Sequence, residues 1–453
     1  MNSGVPLSDL KNKLLSGFKD FEAGINGHAS EEIFKLRKQA IDQFDQLGFP
    51  TVKNEEWKYT NVSKYIDESW EQSKNLSPAN PASLAQIKKS IPAIVDAHVF
   101  VFNDGVFSAE LSSIKTDDTG IKLLSFSEAM KSEKDLLGQY LGKVLSSDIN
   151  GFTAINSAFA VDGVFIHIPK NTKPKYPVHL VFTSGNGGEK YINHIRNLMI
   201  IEEGAGLELI ESWISTGKSD YLNNVVSEIF VNRNATFNQY RFQEEDIENA
   251  RQINFNQIVQ QKDSLVNNFT VSTGGKLVRN DLQYRLEDTN CESHMFGLYI
   301  GTDAQHIDNH TLVDHAQPNC FSNEFYKGIM AGNSAGVFNG KVIVRKDAQK
   351  TNAYQSNKNI LLSDNAKINT KPQLEIFAND VKCSHGATTG QLDEEALFYL
   401  RSRGIGATEA KVMLTTAFAT DVLENIKPEV IRNYARQLVE SKLHSLEMIS
   451  DQQ

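Results

Sequence analysis

The segment 382–390, KCSHGATTG, places a cysteine and a histidine two residues apart. A thiolate and an imidazole both bind transition metals, and a thiolate beside an imidazole can also act as a nucleophile. Side chains alternate along a strand, so Cys383 and His385 would share one face. A nucleophile would need an orienting third group, which is not evident in the sequence, and a small buried structural cysteine is the alternative.

A second group of candidate ligands lies in residues 305–315, QHIDNHTLVDH. His306, Asp308 and His310 would project from one face of a strand, and His315 follows close behind. Imidazoles and a carboxylate on one face could bind a transition metal. The alternative is a polar outer face whose histidines hydrogen-bond to neighbouring groups.

The cysteine content limits the chemistry of the chain. Cys291, Cys320 and Cys383 are the only cysteines and lie far apart, which fits a reducing compartment better than a disulfide framework. An iron–sulfur cluster usually takes four thiolates, so a cluster would need other ligands or another subunit. Gly217, Lys218 and Ser219 resemble the end of a P-loop, but Ser212 replaces the required glycine.

Composition narrows the class of protein. The chain has 453 residues, 40% hydrophobic residues and a net charge of -10, which is typical of a globular protein without a nucleic-acid partner. No apolar run approaches the ~20 residues that span a bilayer, and the N-terminus lacks the pattern of a signal peptide. We therefore expect a cytoplasmic protein that binds neither nucleic acid nor membrane.

The elements that must position these residues fall into three regions. Residues 1–162 are expected to form a mostly helical domain with some strand, and residues 391–453 a helical domain. Residues 163–390 consist of short strand-like segments separated by Gly, Asn and Asp, which indicates a sandwich, a barrel or a β-solenoid. The length of this strand-rich region favours the solenoid, which grows by stacking turns.

The C-terminal helices have two interpretations. Asp393 is a predicted N-cap and Gly404 a predicted terminating glycine. One apolar face of the next helix is predicted to contain Ala410, Met413, Leu414, Ala417 and Phe418. Such helices can cap the open end of a solenoid or present a docking surface to another protein. Periodicity alone does not separate the two.

Residues 314–405, from DHAQPNCFSNEF to KCSHGATTGQLDEEALFYLRSRGI, resemble the shared core of the SufB and SufD family of iron–sulfur cluster assembly scaffolds. Residues 54–65, NEEWKYTNVSKY, resemble the family's N-terminal signature. The resemblance implies a mainly β fold, a right-handed parallel β-helix between an N-terminal mostly helical domain and a C-terminal helical domain. The last part is more similar to the SufD branch, with a SufB-type scaffold and a β-helix carbohydrate-active enzyme as alternatives.

The resemblance also implies a non-catalytic role with defined partners. The chain would pair with a SufB-like scaffold through the ends of the β-helices and bind a SufC-like ABC ATPase, which uses the ATP; a homodimer in isolation is an alternative. His385, with Cys383 as an accessory, would contribute to an interface site for iron or a transient iron–sulfur cluster, and no cofactor would stay bound to the chain alone. The residues expected to dock the ATPase are Leu397, Phe398, Tyr399, Leu400, Arg401, Arg403 and Gly404.

Overall fold

The computed structural model describes residues 7–24, 31–73, 81–116, 119–144, 150–186 and 188–450. Within these ranges, six helices precede the long run of strands and three follow it. They are α1 (Ser8–Gly24), α2 (Glu31–Leu47), α3 (Pro81–Ser90), α4 (Phe126–Ser132), α5 (Lys134–Tyr140), α6 (Gly151–Phe159), α7 (Glu394–Ser402), α8 (Ala407–Leu423) and α9 (Glu429–Ser450). Two short 3₁₀ turns, Glu55–Trp57 and Val62–Lys64, lie between α2 and α3.

The strands form two 10-stranded sheets that face each other across a common interior. Sheet A contains β1 (Glu71–Gln72), β4 (Lys122–Ser125), β5 (Val164–Ile168), β7 (Lys190–Ile201), β9 (Asp220–Val231), β11 (Ala250–Gln260), β13 (Leu277–Leu286), β15 (His306–His315), β17 (Ala335–Val344) and β19 (Lys367–Ile376). Sheet B contains β2 (His98–Asn103), β3 (Val106–Phe107), β6 (Val178–Ser184), β8 (Gly206–Ser215), β10 (Thr236–Gln243), β12 (Leu265–Ser272), β14 (Glu292–Gly301), β16 (Phe321–Met330), β18 (Thr351–Leu361) and β20 (Val381–Gly390).

The chain passes alternately from one sheet to the other, which makes a parallel β-helix and confirms the predicted fold class. From β5 to β20 every strand pairs in parallel with the strand two places along the chain. Partners such as Phe237 and Val266 are 29 residues apart, which is the length of one turn. Asn234, Asp263, Asn290 and Asn319 stand at one corner with φ between 55° and 63°. Asn and Asp tolerate this left-handed conformation best after glycine, which is why they separate the strands in the sequence.

The interior of the β-helix mixes apolar and polar layers. In the early turns Phe182 and Trp213 stack with ring centroids 3.9 Å apart. In the middle turns Arg241 Nε donates to Glu211 Oε2 at 2.8 Å, and both side chains are buried. A buried ion pair is costly to desolvate, so its partners must meet with good geometry. Stacking of successive turns supplies that geometry.

Helices cover both outer faces of the β-helix. The N-terminal helices α1, α2 and α6 form an apolar cluster with Ile192, Leu222 and Ile253 of sheet A. Strands β2 and β4, although they precede residue 163, extend the two sheets by pairing with β6 and β5. The N-terminal region is therefore joined to the β-helix through both helix packing and strand pairing.

The C-terminal helices correct one sequence-based hypothesis. α8 and α9 do not cap the open end but lie along sheet B, where Val422 and Val439 join Phe269 and Phe296 in one apolar cluster. The predicted apolar face of α8 is also wrong in part, because Met413 is 45% exposed and Ala417 is exposed as well. The apolar residues of α8 are spread over all sides of the helix. Contact with sheet B and α9, rather than periodicity, therefore decides which of them are buried.

Candidate functional site

The last turn of the β-helix is open. β19 pairs only with β17, and β20 pairs only with β18. Within the described ranges, no strand pairs with the outer edge of either one. A strand edge carries unpaired N–H and C=O groups that can pair with another chain. This open end is the candidate functional site.

Cys383 and His385 share the inward face of β20, as the alternation predicted. Cys383 pairs in register with Ala353 and packs against the apolar interior. His385 pairs with Gln355, which is buried, but the histidine itself is exposed because no further turn covers it. Two residues of strand separate the two Cα atoms by about 6.6 Å. The histidine therefore stands at the mouth of the β-helix, with the cysteine deeper at its edge.

The structure does not support Cys383 as an activated nucleophile. Burial raises the pKa of the Cys383 thiol, so at neutral pH it is mainly protonated. A backbone hydrogen bond from Ala353 lowers the pKa of Cys383, but burial outweighs it. A thiol in this state becomes a ligand when a metal displaces its proton.

Polar residues form the floor beneath His385. Gln355 is 3% exposed. The next residue in this inward column, Glu324, is fully buried and accepts a hydrogen bond from Thr311 Oγ1. Burial raises the pKa of Glu324 to about 7. Sequence reasoning missed this floor, because only the register shows that these side chains lie below His385.

The donor count at the open end is small. Cys383 and His385 are two donors, fewer than the four that an iron–sulfur cluster takes. In the part of the chain that the structure describes, no group of three or more His, Cys, Asp or Glu side chains could hold a metal. A cluster held at this position would need donors from elsewhere.

An apolar rim surrounds the open end. Phe377, which follows β19, is 63% exposed, and Ile376 and Tyr354 are each 39% exposed. Exposed apolar side chains beside unpaired strand edges are typical of surfaces that bind another protein.

The residues predicted to dock an ATPase lie on α7 and just after it. Asp393 caps α7 through bonds from the N–H groups of Glu395 and Ala396, as predicted. The helix has no buried residue; Phe398 is 74% exposed and Tyr399 is 56% exposed.

The other predicted docking residues surround this exposed pair. Arg403 donates to the Tyr399 hydroxyl at 3.0 Å and stacks on its ring, and Gly404 has the left-handed φ of 88° expected of a terminating glycine. Leu397 and Leu400 are partly buried, whereas Arg401 is exposed. The predicted residues thus lie together along the last two turns of α7 and the residues that follow it.

Two histidines of β15, His306 and His310, have a structural role. Thr60 Oγ1 lies 2.8 Å from His306 Nε2 and also donates to Asp308. Arg279 Nη1 donates to Asp308 Oδ2 at 2.7 Å, and the guanidinium stacks 3.8 Å above the Trp57 ring. These contacts, which we call the clasp, fasten the segment 54–65 of the N-terminal region to sheet A.

Charge stabilises this clasp. His310 Nε2 lies 3.0 Å from Asp308 Oδ1, and its Nδ1 lies 3.3 Å from Glu56 Oε2. Burial and Arg279 lower the pKa of His310, but the two carboxylates outweigh them and leave it raised. Burial by itself would raise the pKa of Asp308, but the positive charges of His310 and Arg279 outweigh burial and lower that pKa. The alternative of a polar outer face with bonded histidines is therefore the better description of His306 and His310, whereas His315 faces the interior and pairs with Ser322.

Comparison with known proteins gives consistent matches. The family model described as "SUF system FeS cluster assembly, SufBD core domain" matches residues 182–418, and "SufBD protein N-terminal region" matches residues 8–180. An iron–sulfur cluster assembly SufBD family protein of Synechocystis sp. is 33% identical over 439 residues, 94% of each chain. The iron–sulfur cluster assembly protein SufD of Escherichia coli is 29% identical over 399 residues, 87% of this chain and 89% of that protein.

Proposed function

Because this chain belongs to the SufBD family of iron–sulfur cluster assembly proteins, we propose that it is a SufD-type, non-catalytic scaffold subunit. The observation that carries the proposal is the open end of the β-helix. There β19 and β20 present unpaired edges, an apolar rim and the exposed His385. A SufB-like subunit with a similar open end would complete the strand pairing.

The proposed chemistry is a site shared between two chains. His385 supplies an imidazole nitrogen of borderline softness, which suits iron, and Cys383 supplies a deeper thiol that releases its proton on binding. The remaining donors would come from the partner subunit. Protonation of the imidazole removes its lone pair, so iron capture should weaken in acid.

The exposed surface of α7 supports the proposal that the chain also binds a SufC-like ATPase. Phe398 and Tyr399 are aromatic, exposed and held on a capped helix, which is the composition of an interaction hot spot. α7 packs on α8, and α8 is fixed to the β-helix by Lys327 Nζ, which donates to Phe418 O at 2.6 Å and to Asp421 Oδ2 at 2.7 Å. Movement of an ATPase bound to α7 would therefore pass through α8 to sheet B.

Coexpression with SufB-like and SufC-like chains tests the shared site. We expect His385→Ala to copurify in the same complex but to lose most of its iron and sulfide. His294→Ala is the matched control, because His294 is a partly exposed histidine on β14, away from the open end. Normal cluster content in His385→Ala would refute the site, and a chain that elutes only as a homodimer with both partners present would refute the pairing.

A second experiment tests the α7 surface. Phe398→Ala and Tyr399→Ala should each weaken ATPase binding by about thirtyfold or more, since a hot-spot residue is worth roughly 2 kcal/mol or more. Val430→Ala is the control, because Val430 is 57% exposed but lies at the start of α9. Equal loss in all three variants would contradict docking at α7. Isothermal titration with the purified ATPase measures the difference.

A further inference from the structure

Two of the three cysteines occupy equivalent positions in successive turns of the β-helix. Cys291 follows Asn290 and Cys320 follows Asn319, and each asparagine has a left-handed φ, 60° and 63°. The adjoining strand residues Glu292 and Phe321 are register partners, so the two cysteines are separated by one full turn. Phe321 N donates to Cys291 O at 2.9 Å, which continues the ladder at this corner.

The two thiols lie together. Cys291 Sγ is 3.2 Å and Cys320 Sγ 3.3 Å from the same carbonyl oxygen, that of Asp288, and the two side chains contact each other. Neighbouring strands are about 4.8 Å apart, within the Cα separation of roughly 4.4–6.8 Å that a disulfide spans. Both cysteines are 1% exposed, but each directly follows an exposed asparagine at the corner. A small oxidant therefore needs only local opening of the corner to reach them.

A base stands beside Cys320. His315 Nε2 is 2.9 Å from Ser322 Oγ, and the imidazole also interacts with the Cys320 thiol. The bond from the Cys291 thiol, together with His315, lowers the pKa of Cys320, whereas the shared proton and burial raise the pKa of Cys291. Cys320 is thus the more readily ionised thiol of the pair and the better nucleophile.

We propose that Cys291 and Cys320 form a redox-active dithiol that a peroxide oxidises to a disulfide between adjacent turns. His315 takes the Cys320 proton, and the Cys320 thiolate attacks one oxygen of hydrogen peroxide to give a sulfenic acid. The other oxygen leaves as hydroxide and receives that proton, forming water. The Cys291 thiol then displaces the sulfenic hydroxyl, which leaves with the thiol proton as a second water. Two thiols and one peroxide become one disulfide and two waters, and a small-molecule thiol reverses the change.

The same corner provides conservative control variants. The residues stacked before and after the pair are Ser264 and Thr351, both buried. A hydroxyl side chain therefore fits this column, and C291S and C320S should fold.

The test uses the full-length chain carrying C383S, in which the pair supplies the only thiols. After hydrogen peroxide treatment we expect the denatured protein to lose both free thiols, and a non-reducing digest to contain one peptide pair linked through Cys291 and Cys320. C291S should stop at a sulfenic acid on Cys320 that dimedone traps, and C320S should react slowly. Two thiols that stay free, or that oxidise separately without a link, would overturn the proposal.

The role of His315 has its own readout. H315Q should slow disulfide formation by roughly tenfold or more, the lower range of general-base assistance, while the circular dichroism spectrum stays unchanged. An unchanged rate of disulfide formation in H315Q would remove the histidine from the mechanism. The wild-type chain, mapped by the same digest, shows whether C383S alters the outcome.

Discussion

Arg279→Met should destabilise the protein strongly, because it removes the cation at the centre of the clasp. Arg279 donates to both oxygens of Asp281 at 2.8 Å, to Asp308 at 2.7 Å and to the Glu56 carbonyl at 2.8 Å. Its side chain is 1% exposed. Methionine keeps an apolar side chain against Trp57 but none of these four bonds.

The expected loss of stability depends on the carboxylates of Asp281 and Asp308, which stay in place after the arginine is removed. Removing one partner of a buried ion pair typically costs about 3–5 kcal/mol, because the other charge stays buried without compensation. Two effects reduce the cost here: His310 still contacts Asp308 at 3.0 Å, and the Asp281 side chain is 10% exposed. We therefore expect Arg279→Met to lower the free energy of unfolding by about 3 kcal/mol at neutral pH.

The chain offers a matched control. Arg345 also makes two bonds to one carboxylate, that of Asp314, at 2.8 and 2.6 Å, but its side chain is 59% exposed. Arg345→Met should cost less than about 1 kcal/mol, since exposed ion pairs contribute little. Urea denaturation followed by circular dichroism gives both values.

Hydrogen exchange locates the effect. In Arg279→Met the amides of residues 54–65 should lose protection first, because that segment is held to sheet A by the clasp. If Arg279→Met and Arg345→Met destabilise the protein equally, or if residues 54–65 keep their protection, the clasp does not hold the N-terminal region.

Three further predictions concern pH and the exposed helix. The pKa of His310 is raised on folding, so its contribution is fully present below the ordinary value near 6.5 and is lost as pH rises through the folded value. Urea denaturation should therefore show the stability lead of wild type over His310→Gln shrinking from pH 6 to pH 9, and a constant lead would contradict this. Burial also raises the pKa of Glu324 from 4.5 to about 7. The free energy of unfolding should therefore fall by about 3 kcal/mol as pH rises between these two values. Glu324→Gln should abolish that loss in the same assay, and an unchanged pH profile would show that Glu324 is not the responsible group. Phe398→Ala should change the melting temperature little, because the ring is 74% exposed, and a large drop would mean that α7 is needed for the fold.

Local sequence patterns predicted much of the β-helix and part of the site. Short strand-like segments separated by Gly, Asn and Asp indicated an all-β region, and the length of that region favoured a solenoid. The structure shows why Asn and Asp stand there, since they take the left-handed conformation at the corners. The same alternation placed Cys383 and His385 on one face, which the register confirms. Asp393 and Gly404 mark the ends of α7 for equally local reasons.

Contacts between distant residues decided the rest. His306 of β15 has a clasp partner in Thr60, 246 residues away, and no periodicity connects the two. Cys291 and Cys320 looked like scattered cysteines until the length of one turn brought them together. The polar floor under His385 likewise arises from register over several turns.

The open end shows most clearly where sequence information stops. Alternation says which face of β20 a side chain occupies, because that depends on neighbouring residues alone. Whether the face is covered depends on what the chain does next, and here α8 and α9 turn back along sheet B. Their apolar side chains are buried there by residues of strands far earlier in the chain, which leaves His385 exposed. The sequence by itself determined the strand and its two faces; the packing of distant elements determined that this strand is the last one and lies open.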